Sequence, residues 1–227
     1  MIKAIIFDLD NTLFDTKKLV KRERLEACEA MIKVGLPAKS IKEAYNNLLK
    51  IIKKYGSNNP NHLDKLCSFY KIKPYPKIIA SGIVAYHNVK IGEIHPIKDA
   101  IPTIIKLIKR GYKTGIVTRG IPIKQWEKII RLGLIDLFDV ILIQDERIVK
   151  TKEKILEQAI KKLKCNPKEA IYVGDNPYED VLSANKKGII SIQYENGPYK
   201  RLSLIRPKYK IKNISELIEI INKMKKK

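Results

Sequence analysis

Three features of this 227-residue chain point to its fold class. An apolar, β-branched run occupies residues 2 to 7, residues 16 to 95 show helical patterning without a strand, and from about residue 98 helix and strand alternate regularly. Together they predict an α/β protein: a Rossmann-like parallel sheet core with helices on both faces, plus an inserted all-helical domain. The first strand cannot stand alone, so it is expected to join the later strands. That sets the domains at 1 to 15 with 96 to 227 for the core and 16 to 95 for a four-helix insertion.

The elements follow in order. Thr16 can cap a helix with apolar positions Leu19, Val20, Ala27, Ala30 and Met31, stopped by Gly35. Ser40 and Glu43 form a capping-box pattern ahead of a helix from Ile41 to Tyr55, ended by Gly56. Helical segments at 62 to 70 and 76 to 89 are separated by Pro74 and Pro76. In the alternating region, helices are expected near 98 to 110, 122 to 132, 152 to 163, 179 to 187 and 214 to 224. Strands are expected at 112 to 118, 140 to 143, 170 to 173 and 189 to 192.

In such sheets ligands bind beyond the carboxyl ends of the strands, so the residues at those ends carry the functional argument. The first strand runs into Asp8-Leu9-Asp10-Asn11-Thr12. Side chains two apart in an extended chain point the same way, which would project Asp8 and Asp10 together. A strand-to-turn junction accounts for these residue types. It does not account for two carboxylates about 5 Å apart, which repel by roughly 3 kcal/mol at an effective dielectric of 20. A divalent cation would remove that repulsion, and carboxylates without His or Cys suit Mg²⁺.

Two further strand ends are dressed in the same way. Thr118-Arg119-Gly120 offers a hydroxyl, a guanidinium and a glycine backbone ahead of a helix, a set suited to a phosphate as well as to ordinary capping. Gly174-Asp175-Asn176 again ends a buried strand in acid. Asp175 could complete a metal's coordination, with Asn176 in support and Asp180 anchoring a lysine or a metal-bound water. Lys150 or Lys152 could neutralise these carboxylates and hold a phosphoryl group.

Composition excludes more than it identifies. The formal net charge is +22, but the lysines are scattered and no basic, aromatic-interleaved element marks a specific nucleic-acid surface. The abundance of Lys and Ile resembles a thermophile composition. Cys28, Cys67 and Cys165 lack metal-ligand spacing and are expected to be reduced, and His62, His87 and His95 make no zinc pair. No apolar run approaches membrane-spanning length and no signal peptide precedes the first strand, so the expectation is a cytoplasmic protein, monomer or homodimer, with no membrane partner.

Taken in order, Asp8-Leu9-Asp10-Asn11-Thr12, Thr118-Arg119-Gly120, Lys150 and Gly174-Asp175 through Asp180 resemble the four motifs of the haloacid dehalogenase-like hydrolases, most of which are Mg²⁺-dependent phosphatases. The resemblance spans essentially the whole chain, and the helical insertion looks like the cap of subfamily I. One departure concerns the third motif: Lys150-Thr151-Lys152-Glu153 lacks the usual prolines. The family spacing counted back from Asn166-Pro167 selects Lys150, with Lys152 as the alternative.

The resemblance implies that Asp8 attacks phosphorus and Asp10 acts as acid and then base. It implies Mg²⁺ held by Asp8, the Asp10 backbone carbonyl and Asp175, and phosphoryl oxygens bound by Thr118, Arg119, Gly120 and Lys150. A helical cap implies a small phosphorylated metabolite, for which Tyr86, His87, Lys90, Lys124 and Trp126 are candidate contacts. The stretch from Gly120 to Glu127 is similar to a group of archaeal members of the superfamily, which implies glyceraldehyde 3-phosphate or a related sugar phosphate. Phosphomutase or dehalogenase chemistry on the same fold, and a basic nucleic-acid-binding protein without activity, are the competing readings.

Overall fold

The computed structural model describes residues 1–145, 147–199 and 204–225. The chain divides into two compact units, Met1–Thr16 with His95–Lys227, and Lys17–Ile94.

The first unit is built on a parallel sheet of β1 (Ala4–Phe7), β2 (Lys113–Arg119), β3 (Val140–Gln144), β4 (Ala170–Gly174), β5 (Ile190–Tyr194) and β6 (Tyr209–Ile211), in the order β3-β2-β1-β4-β5-β6. Every residue of β1 is fully buried, as a strand covered on both faces must be. Ala4 and Ile6 point to one face, packing with Ile155, Leu156, Ala159 and Ala184 from α7 (Lys152–Lys162) and α8 (Leu182–Lys186). Successive strand side chains alternate, so Ile5 and Phe7 point to the other face, where Phe7 meets Phe138 edge-on at 6.2 Å. The remaining helices of this unit are α5 (Ala100–Lys109), α6 (Pro122–Arg131) and α9 (Leu217–Lys225).

Two sequence expectations change here. β6 is an additional strand at the sheet edge, where only a loop was expected ahead of the last helix. The helix expected from 179 instead begins as a π-helical turn, Pro177–Val181, which runs into α8. That wider turn has a consequence for the site, because it carries Asp180 back toward the end of β4.

Register brings the strand ends together. Phe7 pairs with Ile116 on one side and Val173 on the other, and Arg119 pairs with Gln144. Asp8 therefore follows the sheet's central strand, between the polar ends of β2 and β4. The chain runs outward from β1 in both directions, and the crevice at this switch point is the expected ligand position.

The second unit holds α1 (Thr16–Lys33, whose first residue belongs to the sheet unit), α2 (Ile41–Tyr55), α3 (His62–Phe69) and α4 (Pro76–Glu93). Its core joins Cys28, Met31, Leu48, Ile51, Leu66 and Ile78. Ser40 caps α2 by accepting from the Glu43 N–H at 3.1 Å, whereas the Glu43 carboxylate turns back to the amide of Lys39. Inside this unit Glu23 is buried beside Tyr86 and Lys90, and burial pushes its carboxyl up.

Candidate active site

At the carboxyl ends of β1, β2 and β4 lies a cavity of about 160 Å³ lined by Asp8, Asp10, Thr118, Arg119, Lys152, Asp175 and Asp180, with Asn11, Asn176, Glu179 and Tyr199 completing its wall. Sequence-spaced residues from four separate segments thus meet at one edge of the sheet.

The lysine in this cavity is Lys152. Its ammonium donates to Asp8 Oδ1 at 2.8 Å and to Asp180 Oδ1, and the side chain is 6 % exposed. Lys150, the position selected by family spacing, is exposed in the loop before α7 and lies outside the cavity wall. The helix starts at Lys152, as expected, and the physical reason is that this first turn packs against the sheet, which carries Lys152 and not Lys150 into the cavity. The expectation for Lys150 is corrected accordingly.

Asp180 is a hub. Its Oδ1 also accepts from the Tyr172 hydroxyl at 3.2 Å and its Oδ2 from the Asn176 amide at 2.9 Å. Asn176 in turn accepts from the Tyr178 N–H at 3.0 Å, fixing the start of the π-helical turn. Gly174 is required by this packing, since a Cβ there would overlap the Asp180 carboxylate. Tyr172, the buried partner below Lys152, escaped sequence reading because it sits mid-strand and looks like core.

Asp10 does not share Asp8's surroundings. Asn11 takes a left-handed backbone, φ 59°, and the chain folds back so that Asn11 N–H donates to the Phe14 carbonyl at 2.7 Å. Asn tolerates that conformation better than most residues. The Asp10 carboxylate then accepts from Lys128 Nζ at 2.6 and 2.7 Å, from Gln125 Nε2 at 3.0 Å, and from the hydroxyl of Thr16. Thr16 therefore serves Asp10 from the first position of α1, where a cap had been expected. Gln125 and Lys128 are one turn apart on α6, and i, i+3 spacing puts them on the same face. The sequence reading singled out their neighbours instead; Lys124 is exposed and Trp126 half-buried.

These contacts split the electrostatics of the pair. Burial would raise the Asp10 carboxyl, but the Lys128 charge and hydrogen bond hold it below its ordinary value. The Asp8 carboxyl is raised to about 7, mainly by burial, partly opposed by Lys152, with Asp180 adding like charge and Asp10 contributing least. Burial, then Asp180 and Asp8, lift Asp175 to about 8. Lys152 is held well above its usual value, because Asp180 and Asp8 outweigh its desolvation. The repulsion expected between Asp8 and Asp10 is thus minor; the crowding is among Asp8, Asp175 and Asp180.

That crowding is the test for a metal. One carboxylate oxygen from each of these three lies within 4.8 Å of the others. Three carboxylates and one ammonium sum to two negative charges, which a single divalent cation balances. Asp175 Oδ2 is buried without a hydrogen-bond partner, a cost of about 1–3 kcal/mol that a cation would offset. An all-oxygen donor set fits Mg²⁺ or a similar hard ion. Asp10 offers no side-chain oxygen to this cluster among the groups found to converge on it.

The phosphate-binding expectations divide similarly. Thr118 is 1 % exposed, and its Oγ1 is buried without a partner at the cavity wall. Arg119 lines the cavity but is ion-paired with Glu179. Gly120 is engaged elsewhere: its amide donates to the Gln144 carbonyl at 3.1 Å, and its φ of 149° leaves it packed against Gln125. The expectation that this amide faces a phosphate is corrected.

The family profile described as haloacid dehalogenase-like hydrolase matches residues 5–193. The chain belongs to this family. A glyceraldehyde 3-phosphate phosphatase of Pyrococcus furiosus is 43 % identical over 221 residues, covering 97 % of this chain and 92 % of that protein. A protein of the same name from Methanopyrus kandleri is 38 % identical, with both chains covered completely. Among solved structures, a HAD phosphatase from Thermococcus onnurineus superposes with a TM-score of 0.66 at 25 % identity, covering 97 % of this chain and 98 % of that one. A haloacid dehalogenase-like family hydrolase from Xanthomonas campestris superposes with a TM-score of 0.71 over 98 % and 91 %, and at 16 % identity shows the fold alone. Among the described residues of this family member, no helix is long and apolar enough to cross a membrane.

Proposed function

We propose that this haloacid dehalogenase-like hydrolase is a Mg²⁺-dependent phosphatase that hydrolyses a small phosphorylated metabolite through an aspartyl-phosphate, with glyceraldehyde 3-phosphate as the first substrate to test. The observation that carries the reading is Asp8, at the end of the central strand, held by Lys152 beside the unpartnered Thr118 hydroxyl in a cavity of about 160 Å³. The names of the archaeal relatives supply the substrate.

In this mechanism Asp8 attacks phosphorus and the ester oxygen departs, splitting a slow hydrolysis into two steps. Lys152 orients Asp8 and places positive charge where the phosphoryl oxygens gather. Thr118 donates its free hydroxyl to one of those oxygens. Asp10 protonates the leaving oxygen and then takes a proton from the water that attacks the aspartyl-phosphate. Its contacts with Lys128, Gln125 and Thr16 aim the carboxylate and favour the ionised form, which the second step requires. Asp8 and Asp175 would hold Mg²⁺, with Asp180 behind them, and the ion's charge would screen the carboxylates from the incoming phosphate. Within the helical unit, Glu23 is the buried acid, beside the half-buried Tyr86 and Lys90.

The test is turnover of a panel of phosphorylated metabolites, including glyceraldehyde 3-phosphate, and of halogenated acids, with and without Mg²⁺. Hydrolysis of phosphate esters that disappears in EDTA, returns with Mg²⁺, and falls by at least about 10⁴-fold in Asp8→Asn is expected. Turnover retained by Asp8→Asn would sink the nucleophile assignment, and dehalogenation without phosphatase activity would sink the reaction class.

A further inference from the structure

The opposite end of the sheet carries a second cavity, of about 660 Å³, with a different chemistry. It opens where β1, β2 and β3 begin. Lys3 and Lys113 stand at the starts of β1 and β2, Arg110 follows α5, Lys162 and Lys164 follow the body of α7, and Lys225 ends α9. Against these six cations the wall offers one acid, Asp139, which pairs with Lys113 at 2.9 Å. Lys3 pairs with Glu169 at 2.8 Å, and Lys162 and Lys164 have no ion pair among the described residues.

Cations at helix C-termini complement the helix dipole, and that accounts for Lys162 and Lys225. Lys3, just ahead of β1, and Lys113, the first residue of β2, lie at no helix end and are held by their ion pairs. Lys164 is harder to explain by local structure, since it adopts φ 53°, two residues past the last residue of α7. At the same place after α5, α6 and α8 the chain uses Gly111, Gly133 and Gly188, the residue suited to that conformation. A lysine is thus held in a left-handed backbone on the wall of the basic cavity. The Tyr112 hydroxyl, on the same wall, is buried without a hydrogen-bond partner.

A smaller cavity of about 230 Å³ adjoins this one, sharing Met1, Ile2 and Lys225. Its other walls are Ile190, Met224, Tyr209 and one more cation, Lys208, and it is mainly apolar. A cationic chamber beside an apolar one with an aromatic wall matches a molecule with an anionic head and a flat, weakly polar end. We propose that the N-terminal end of the sheet is a binding site for a nucleoside polyphosphate, with its phosphates among the six cations and its base against Tyr209. Along β1, Lys3 and Asp8 are five residue steps apart, roughly 16 Å at strand rise, so a ligand here does not touch the carboxylate cavity. The concave shape and adjoining apolar chamber favour a nucleotide over the backbone of a nucleic acid, for which a long exposed stripe would serve. This inference does not depend on the phosphatase reading.

The test is an NMR titration of the ¹⁵N-labelled full chain in EDTA, with ATP, inorganic tripolyphosphate and a single-stranded oligonucleotide as separate probes. ATP is expected to shift the amides of Gly111, Lys113 and Leu163, together with Ile190 and Tyr209, and to bind more tightly than tripolyphosphate. The double variant Arg110→Glu, Lys162→Glu, both on exposed side chains, weakens ATP binding by roughly tenfold or more. Asp8→Asn leaves it unchanged. Shifts confined to the surroundings of Asp8 and Thr118, equal affinity in the double variant, ATP no tighter than tripolyphosphate, or tighter binding of the oligonucleotide would each overturn the assignment.

Discussion

The two ends of one sheet carry opposite charge in opposite ways. Where the strands end, Asp8, Asp175 and Asp180 are almost fully buried around Lys152, each within reach of the others. Where they begin, six cations surround an open cavity and most of their charge stays in water. Burial decides the difference. At the acidic end burial, with like charge beside it, pushes carboxyl groups up to about 7 and 8 against the pull of Lys152. At the basic end solvent screens the repulsion, and the cations cost the fold little until a multivalent anion collects them.

The largest effect that would break this contrast is expected at Lys152. Lys152→Ala leaves Asp8 and Asp180 buried without their cation, so the variant loses about 3–5 kcal/mol of stability, read by chemical denaturation. Its turnover falls by at least roughly 10²-fold. Lys150→Ala, exposed and outside the cavity, stays within about 0.5 kcal/mol of the parent with unchanged kinetics. A larger kinetic loss at Lys150 would reverse the assignment.

Metal and pH sharpen the acidic end next. In the metal-free protein the Asp8 and Asp175 carboxyls sit above their ordinary value of 3.8, at about 7 and about 8. The folded state therefore holds more protons than the unfolded state between about pH 4 and pH 8, and stability falls as pH rises through that window. Mg²⁺ competes with those protons. Its stabilisation at pH 8 is expected to exceed that at pH 5 by at least about 1.4 kcal/mol, the value of one proton over one pH unit. For a chain of this length that is about 3–6 °C in Tm by scanning calorimetry. An equal gain at both pH values would mean that the ion does not displace protons from these carboxylates.

The same contrast explains what could be read from the sequence. The parallel sheet was legible because its central strands are continuous apolar runs, and a parallel register puts their polar ends at one edge without further information. β6 was not, since Tyr209-Lys210-Ile211 is three residues long and alternates too briefly to register as a strand. Asp8, Thr118 and Asp175 could be singled out because each is a polar residue directly beyond a buried strand. The start of α7 at 152 was legible, but the choice of Lys150 followed the family spacing counted back from Asn166-Pro167, and only the docking of α7 on the sheet shows that its first residue is the one that reaches Asp8. Gln125 and Lys128 reach Asp10 only through the way α6 docks beside the turn at Asn11, a tertiary fact with no local signature. The basic end was visible only as scattered lysine, because its six cations come from separate segments that topology, not sequence proximity, brings together.

The smallest expected effect separates backbone from charge at that end. Lys71, after α3 in the helical unit, shares the left-handed conformation of Lys164, with φ 57° against 53°. Replacing either lysine by glycine relieves roughly 1–2 kcal/mol of backbone strain. The greater freedom of glycine in the unfolded chain offsets about 0.5–1 kcal/mol of that relief. Lys71→Gly and Lys164→Gly should therefore both leave stability unchanged or raise it by up to about 1.5 kcal/mol. Their effects on ATP binding should differ. Lys164 lines the basic cavity and Lys71 does not, so Lys164→Gly alone lowers the affinity, by roughly threefold for one exposed cation. A parallel loss in both variants would trace the effect to overall charge, whereas a stability gain at both with an affinity loss only at Lys164 separates the backbone's preference for glycine from the cavity's preference for a cation.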